Sequence, residues 1–94
     1  MADLYRLDIL SRARRALDDG LARLRKEKHR PTIEAMKQIL RRLESAPFDF
    51  GEELYDLKSI GLQVRLGISL PIAVHFGADW NNRIVIIQSL AILE

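Results

Sequence analysis

Three cations in the second half of the sequence, Lys58, Arg65 and Arg83, are of a type suited to chemistry on a phosphate. Gathered in one concavity, a lysine and two arginines would hold a phosphodiester by charge-assisted hydrogen bonds and stabilise negative charge developing on it. The competing reading makes them solvated edge charges, with Arg83 pairing Asp79 across a turn, an arrangement that contributes little energy. His75 is the other group able to move a proton near neutral pH, as a general base. No acid or nucleophile is recognisable beside it, so a structural or solvent-facing histidine is the alternative. His29, next to Arg30 and Pro31, falls in an expected loop and is weaker still.

A second group of charges is helical. At about 100° per residue, Arg12, Arg15, Arg23, Lys26 and Arg30 fall within an arc of roughly 80° on one helix. Such a stripe is an electrostatic footprint for RNA, the ribosome, DNA or an acidic protein tail. Asp19 lies in the same arc and at helical spacing from Arg15 and Arg23, so an ordinary solvated face is the equal alternative. The asymmetry of the chain agrees with a basic helical half: residues 1–50 carry 12 Lys/Arg against 8 Asp/Glu, and residues 51–94 carry 3 against 5. Trp80, in an expected turn, either anchors a partner or folds back over the sheet.

Other chemistries lack their parts. No Gly-rich phosphate loop, Ser/His/Asp order, His-Glu helix motif or cluster of metal ligands occurs, so no metal and no cofactor are expected. With no cysteine there is no disulfide framework, thiolate site or cysteine nucleophile, which suits a reducing cytoplasm. Residues 1–6 carry no apolar run behind a basic leader, so a signal peptide is not expected. The longest apolar stretch, residues 84–93, is interrupted by Gln88 and Ser89 and is too short for a membrane-spanning helix.

The elements that must position these groups follow from periodicity. Residues 4–10 alternate in polarity, the period of a half-buried strand. Ser11 offers a cap, and Ala13, Leu17, Leu21 and Leu24 form the apolar stripe of a first helix over about residues 12–28. Gly20 within it permits a close neighbour. Pro31 suits the first turn of a second helix, whose buried face is Ile33, Met36, Ile39, Leu40 and Leu43, completing a helical hairpin. Residues 46–51 end that helix, and Leu54 and Leu57 anchor an extended connection. From residue 62 the period is two, with Leu62, Val64, Leu66 and Ile68 on one face and Gln63, Arg65 and Gly67 on the other, polar face, from which Arg65 is expected to project. A third strand, 72–77, follows Pro71, and Asp79 to Asn82 have turn chemistry. Residues 84–93, apolar on both sides, read as an interior strand. At 94 residues without a linker, the chain is expected to form one domain, 1–94, able to fold by burial given its 48% hydrophobic content.

This β-α-α-β-β-β order, an α+β helical hairpin on a small mainly antiparallel sheet, resembles the RelE/ParE toxin superfamily of type II toxin–antitoxin and plasmid stabilisation systems. The resemblance rests on a first strand and basic helix (YRLDILSRARRALDDGLARL) and an exit from the second helix (APFDFGEELYDLK). It continues in a strand carrying an arginine (LQVRLG) and an apolar last strand (NNRIVIIQSL). It implies a bacterial, cytoplasmic toxin held by a cognate antitoxin protein, acting on the ribosome and mRNA as an endoribonuclease, with Lys58, Arg65 and Arg83 as phosphate binders. Arg65 matches a basic residue of the family's strand, whereas Gln63 stands where Lys is frequent and Pro71 where the ribonucleases usually carry an arginine. The sequence stops at Ile92-Leu93-Glu94, before the basic and aromatic residues that follow this strand in active members. The alternative implied is a non-catalytic interaction module, either a DNA gyrase binder of the ParE kind or an antitoxin partner.

Overall fold

The structure is a computed structural model that describes residues 4–93. The leader reading of residues 1–6 therefore lies in part outside it. Nine short elements follow one another: β1 (Arg6–Ile9), α1 (Ser11–Arg23), α2 (Lys26–Ser45), a 3-10 turn (Pro47–Asp49), β2 (Glu52–Leu57), a second 3-10 turn (Lys58–Ile60), β3 (Leu62–Ser69), β4 (Ile72–Asp79) and β5 (Ile84–Ile92). The strands form one sheet in the order β1-β5-β4-β3-β2, with β1 parallel to β5 and every other pair antiparallel. β5 is thus interior, as its two apolar sides require. The segment expected as a bare connection around Leu54 and Leu57 is a fifth strand at the sheet's edge.

Both helices lie on one face of the sheet. α1 runs against β5, and Gly20 is the point of approach: a Cβ there would lie 2.7 Å from Ile92 Cδ1. α2 reaches β1, β3 and β4. Ile39, Leu43, Ile72, Val74, Phe76, Ala78, Val85 and Ile87 between them are all 0% exposed. Each large aliphatic side chain buried this way contributes about 1.5–3 kcal/mol.

The break between the helices corrects the expected boundary. α1 stops at Arg23, Leu24 and Arg25 turn extended, and α2 starts at Lys26, five residues before Pro31. The ring Nε2 of His29 donates to the Leu24 carbonyl at 3.0 Å and ties the turn together. Pro31 is tolerated inside α2 because the carbonyl it leaves unbonded belongs to exposed Glu27 in the first turn. Ser11, expected to cap α1, is its first residue, and Leu10 at the cap makes no side-chain bond.

The period of two in β3 is present, but its faces are reversed. Residues paired directly across an antiparallel ladder share a face. Phe76, wholly buried under the helices, pairs with Arg65, and Val74 pairs with Gly67. Arg65 and Gly67 therefore face the helices, while Leu62, Val64, Leu66 and Ile68 face away from them. Val64 is 2% exposed yet belongs to no part of the main core cluster.

Candidate functional site

Arg65 is built into the protein rather than displayed on it. It is 8% exposed, its Nε donates to the Phe50 carbonyl at 3.0 Å, and its Nη2 donates to the Gly51 carbonyl at 2.9 Å. Its Nη1 donates to Gln63 Oε1, and Gln63 Nε2 in turn donates to Asp56 Oδ1 at 3.0 Å. Gln63 thereby relays between a buried cation and a carboxylate on the neighbouring strand. The expectation that Arg65 projects from a solvent-facing polar side is corrected by this network. The physical reason is the chain's path between the first 3-10 turn and β2, which leaves the carbonyls of residues 50 and 51 aimed inward. A guanidinium is the one side chain with enough fixed donors to satisfy both.

Two glycines make the arrangement possible. Gly51 has φ +76°, and a Cβ there would strike the Leu66 carbonyl oxygen and lie 2.6 Å from Gly67 Cα. A Cβ at Gly67 would meet the Phe50 ring, with Cδ2 and Cζ at 2.7 Å. The open space above Gly67 seats Phe50, which stacks on Phe76 with ring centroids 6.0 Å apart and 14° between planes. The Arg42 guanidinium lies over the Phe50 ring, 4.8 Å from its centroid.

Lys58, Arg65 and Arg83 are not brought together. Lys58 opens the 3-10 turn after β2, and Arg83, with φ +54°, precedes β5. The row Leu57, Leu62, Asp79, Ile84 crosses the sheet between them. Three strand spacings of about 4.8 Å separate their backbones by roughly 14 Å. Arg83 rests over the Tyr5 ring, 5.5 Å from its centroid. Asp79 accepts from the backbone N–H groups of Asn81 and Asn82 and from Asn82 Nδ2, at 2.9, 3.0 and 2.9 Å. The Asn82 side chain and then its backbone N–H hold the Asp79 carboxyl below its ordinary range, against a smaller opposing effect of burial.

The helical cations divide likewise. Arg12, Arg15 and Arg23 belong to α1, but Lys26 and Arg30 belong to α2, so the five do not share one helix face. Arg12 Nε donates to the Gln88 carbonyl at 3.1 Å. That carbonyl is presented by a bulge: His75 pairs with Ser89 and Phe76 with Ile87, leaving Gln88 without a partner on β4. Among the described residues the ion pairs are Arg6–Asp8 and Lys37–Glu34, both exposed, and Asp19 enters neither.

What the sequence reading missed is the uncovered face of the sheet. By register it carries Leu62, Val64, Leu66 and Ile68 of β3, Tyr55 and Leu57 of β2, and Ile84 and Ile86 of β5, with half-buried His75 between Leu66 and Ser89. Tyr55 is 54% exposed, Leu57 41% and Ile68 54%. A partial signal was available: residues 84–87 are apolar on both faces, more than a sheet with one wet side needs. Trp80 is 42% exposed and leans on Phe48 with centroids 6.2 Å apart, and Phe48 meets Tyr5 edge-on. Among the described residues no group of three or more potential metal ligands occurs, and no helix is long and apolar enough to cross a membrane.

The chain matches no protein-family model and no curated protein sequence. It is similar to a solved structure, the archaeal RelE–RelB complex from Pyrococcus horikoshii OT3. The TM-score is 0.68 at 20% sequence identity, over 94% of this chain and 93% of that one. The chain therefore has the RelE-like fold, two helices against one face of a five-stranded mixed sheet.

Proposed function

We propose that this protein is the toxin-type member of a toxin–antitoxin pair and works by binding proteins through its sheet. The observation that carries the reading is the composition of the uncovered face, where large apolar side chains stand and the expected cation, Arg65, is turned inside. Binding energy rather than phosphodiester chemistry is what such a surface supplies, since a desolvated patch of aliphatic and tyrosine side chains is the usual centre of a protein interface. The solved neighbour's assembly as a RelE–RelB complex supports a small antitoxin as one partner. A larger protein target in the cytoplasm, of the kind gyrase represents for ParE-like proteins, completes the scheme.

The test is induced expression in a bacterial host with and without the product of the adjacent reading frame. The expected outcome is growth arrest relieved by that product, a stable complex of the two on gel filtration, and full-length mRNA throughout. Tyr55→Glu with Ile68→Glu should abolish the arrest while leaving the fold intact, because both side chains are 54% exposed. Codon-linked cuts in mRNA that vanish in Lys58→Ala or Arg83→Ala variants would replace this reading with the ribonuclease one.

A further inference from the structure

The edge strand β2 carries a second surface with its own chemistry. Among the described residues β2 is bonded to β3 on one side only, and it ends the sheet. Its sequence, EELYDL, places Glu52, Glu53 and Asp56 within six residues and contains neither lysine nor proline, two residues that commonly blunt such edges. A bulge at Leu54 fixes how these groups are sorted. Glu52, Tyr55 and Leu57 share the uncovered face, being paired with Leu66, Val64 and Leu62, whereas Glu53 and Asp56, opposite Arg65 and Gln63, fall on the helix side. Leu54 is 44% exposed, so three large apolar side chains of this strand stand in solvent beside its carboxylates.

Acidic groups alone would be enough to keep an edge from pairing with other copies. Exposed Leu54, Tyr55 and Leu57 alternating with them do the opposite for any strand that arrives with positive charge. A second copy of β2 is disfavoured, since antiparallel self-pairing brings Glu52 and Glu53 towards Asp56, and like charges opposite one another are destabilising. We propose that the β2 edge takes an extended, cationic segment of a partner protein as a sixth strand. Its Lys or Arg side chains would lie beside Glu53 and Asp56, and its apolar residues would continue the Tyr55–Leu57 side of the uncovered face. Main-chain bonds supply the affinity in this mode of recognition and the alternating side chains the specificity. The inference does not rest on the toxin–antitoxin reading, because it concerns the chemistry of one edge whichever protein brings the strand.

The experiment uses the whole chain and labelled peptides of the same length as β2, in which valine alternates with either lysine or glutamate. Fluorescence anisotropy should show the lysine peptide binding and the glutamate peptide at least about tenfold weaker, the combined effect of two rim charge pairs. Glu53→Lys, at an exposed position, should weaken the lysine peptide and strengthen the glutamate peptide. A lysine peptide N-methylated at alternate residues, which retains its charge but loses its donors on one edge, should lose binding whichever edge is presented for methylation in one of the two registers. Equal binding of both methylated registers and the parent would show attraction by charge alone and overturn strand addition. Equal affinity for lysine and glutamate peptides, or no binding to either, would overturn it as well, and neither result touches the growth assay that tests the toxin reading.

Discussion

Replacing Arg65 by methionine separates a structural arginine from a catalytic one. The substitution removes donors to the Phe50 and Gly51 carbonyls and to Gln63 Oε1. Hydrogen bonds from a charged donor contribute about 1.5–3 kcal/mol each, and a buried acceptor left bare costs about 1–3 kcal/mol. Phe50 is 3% exposed and its carbonyl bears most of that cost, while Gly51 is exposed and can turn its oxygen to water. The expected loss is about 3 kcal/mol, against roughly 5–14 kcal/mol for the whole stability of a 94-residue chain. At about 4–8 °C per kcal/mol for a domain of this size, the thermal midpoint should fall by about 12–24 °C. Arg65→Lys keeps the charge without the fork and should lose about 2 kcal/mol.

Urea unfolding followed by far-ultraviolet circular dichroism reads this loss directly, with the slope unchanged if only native stability is altered. Gln63→Leu should cost less in the Arg65→Met background than alone, because Gln63 has already lost its bond from Arg65 and only its bond to Asp56 remains to be removed. The reasoning is refuted if Arg65→Met unfolds at the wild-type midpoint yet abolishes the cellular effect. In that event Arg65 would be a functional cation with no share in holding the first 3-10 turn to β3.

Gly67→Ala drives a methyl group into the Phe50 ring, and calorimetry should show a loss of about 1–3 kcal/mol from overpacking. Asp79 has its folded pKa below the ordinary 3.8, so its hydrogen bonds stabilise the fold above that pH, and their contribution fades as pH falls through the lower folded value. Asp79→Asn should remove this part of the acid limb, and identical acid-denaturation curves for the two proteins would count against the account. His29→Ala deletes the bond to the Leu24 carbonyl and should cost about 1 kcal/mol, seen as earlier amide exchange at residues 24–29.

Much of the architecture could be read from periodicity because each element signals its own period locally. The apolar spacing of Met36, Ile39 and Leu43 is that of a buried helix face, and all three are buried. The two-sided apolar run of residues 84–92 is that of an interior strand, and β5 lies between β1 and β4. The helix break at Leu24 was not legible, since neither glycine nor proline marks it and its anchor, His29, acts from five residues away. The strand at Glu52–Leu57 was hidden because Glu and Asp have low strand propensity and its place depends on β3.

The reversal of β3 explains why the candidate site could not be read from the sequence. Period two says which residues share a face and nothing about which face is covered. Ordinarily the apolar set goes inside. Here the inner surface beside β3 receives Phe50 from the first 3-10 turn, which needs a glycine beneath it at position 67 and leaves two carbonyls in want of donors. Only the set Gln63, Arg65, Gly67 supplies that bare position and the guanidinium together, so the polar set goes in and Leu62, Val64, Leu66 and Ile68 are turned out. Of these Val64 is still buried and Leu62 and Leu66 are half-buried, but Ile68 is 54% exposed; the area left open forgoes burial worth about 25 cal/mol per Å², and covering it with a partner recovers it. The same geometry that removes a cation from the surface therefore creates the apolar patch, so the burial of Arg65 and the turning out of the apolar set have a single structural cause. A variant that restored Leu66 to the interior would have to displace Phe50, and it should lose partner binding and stability together.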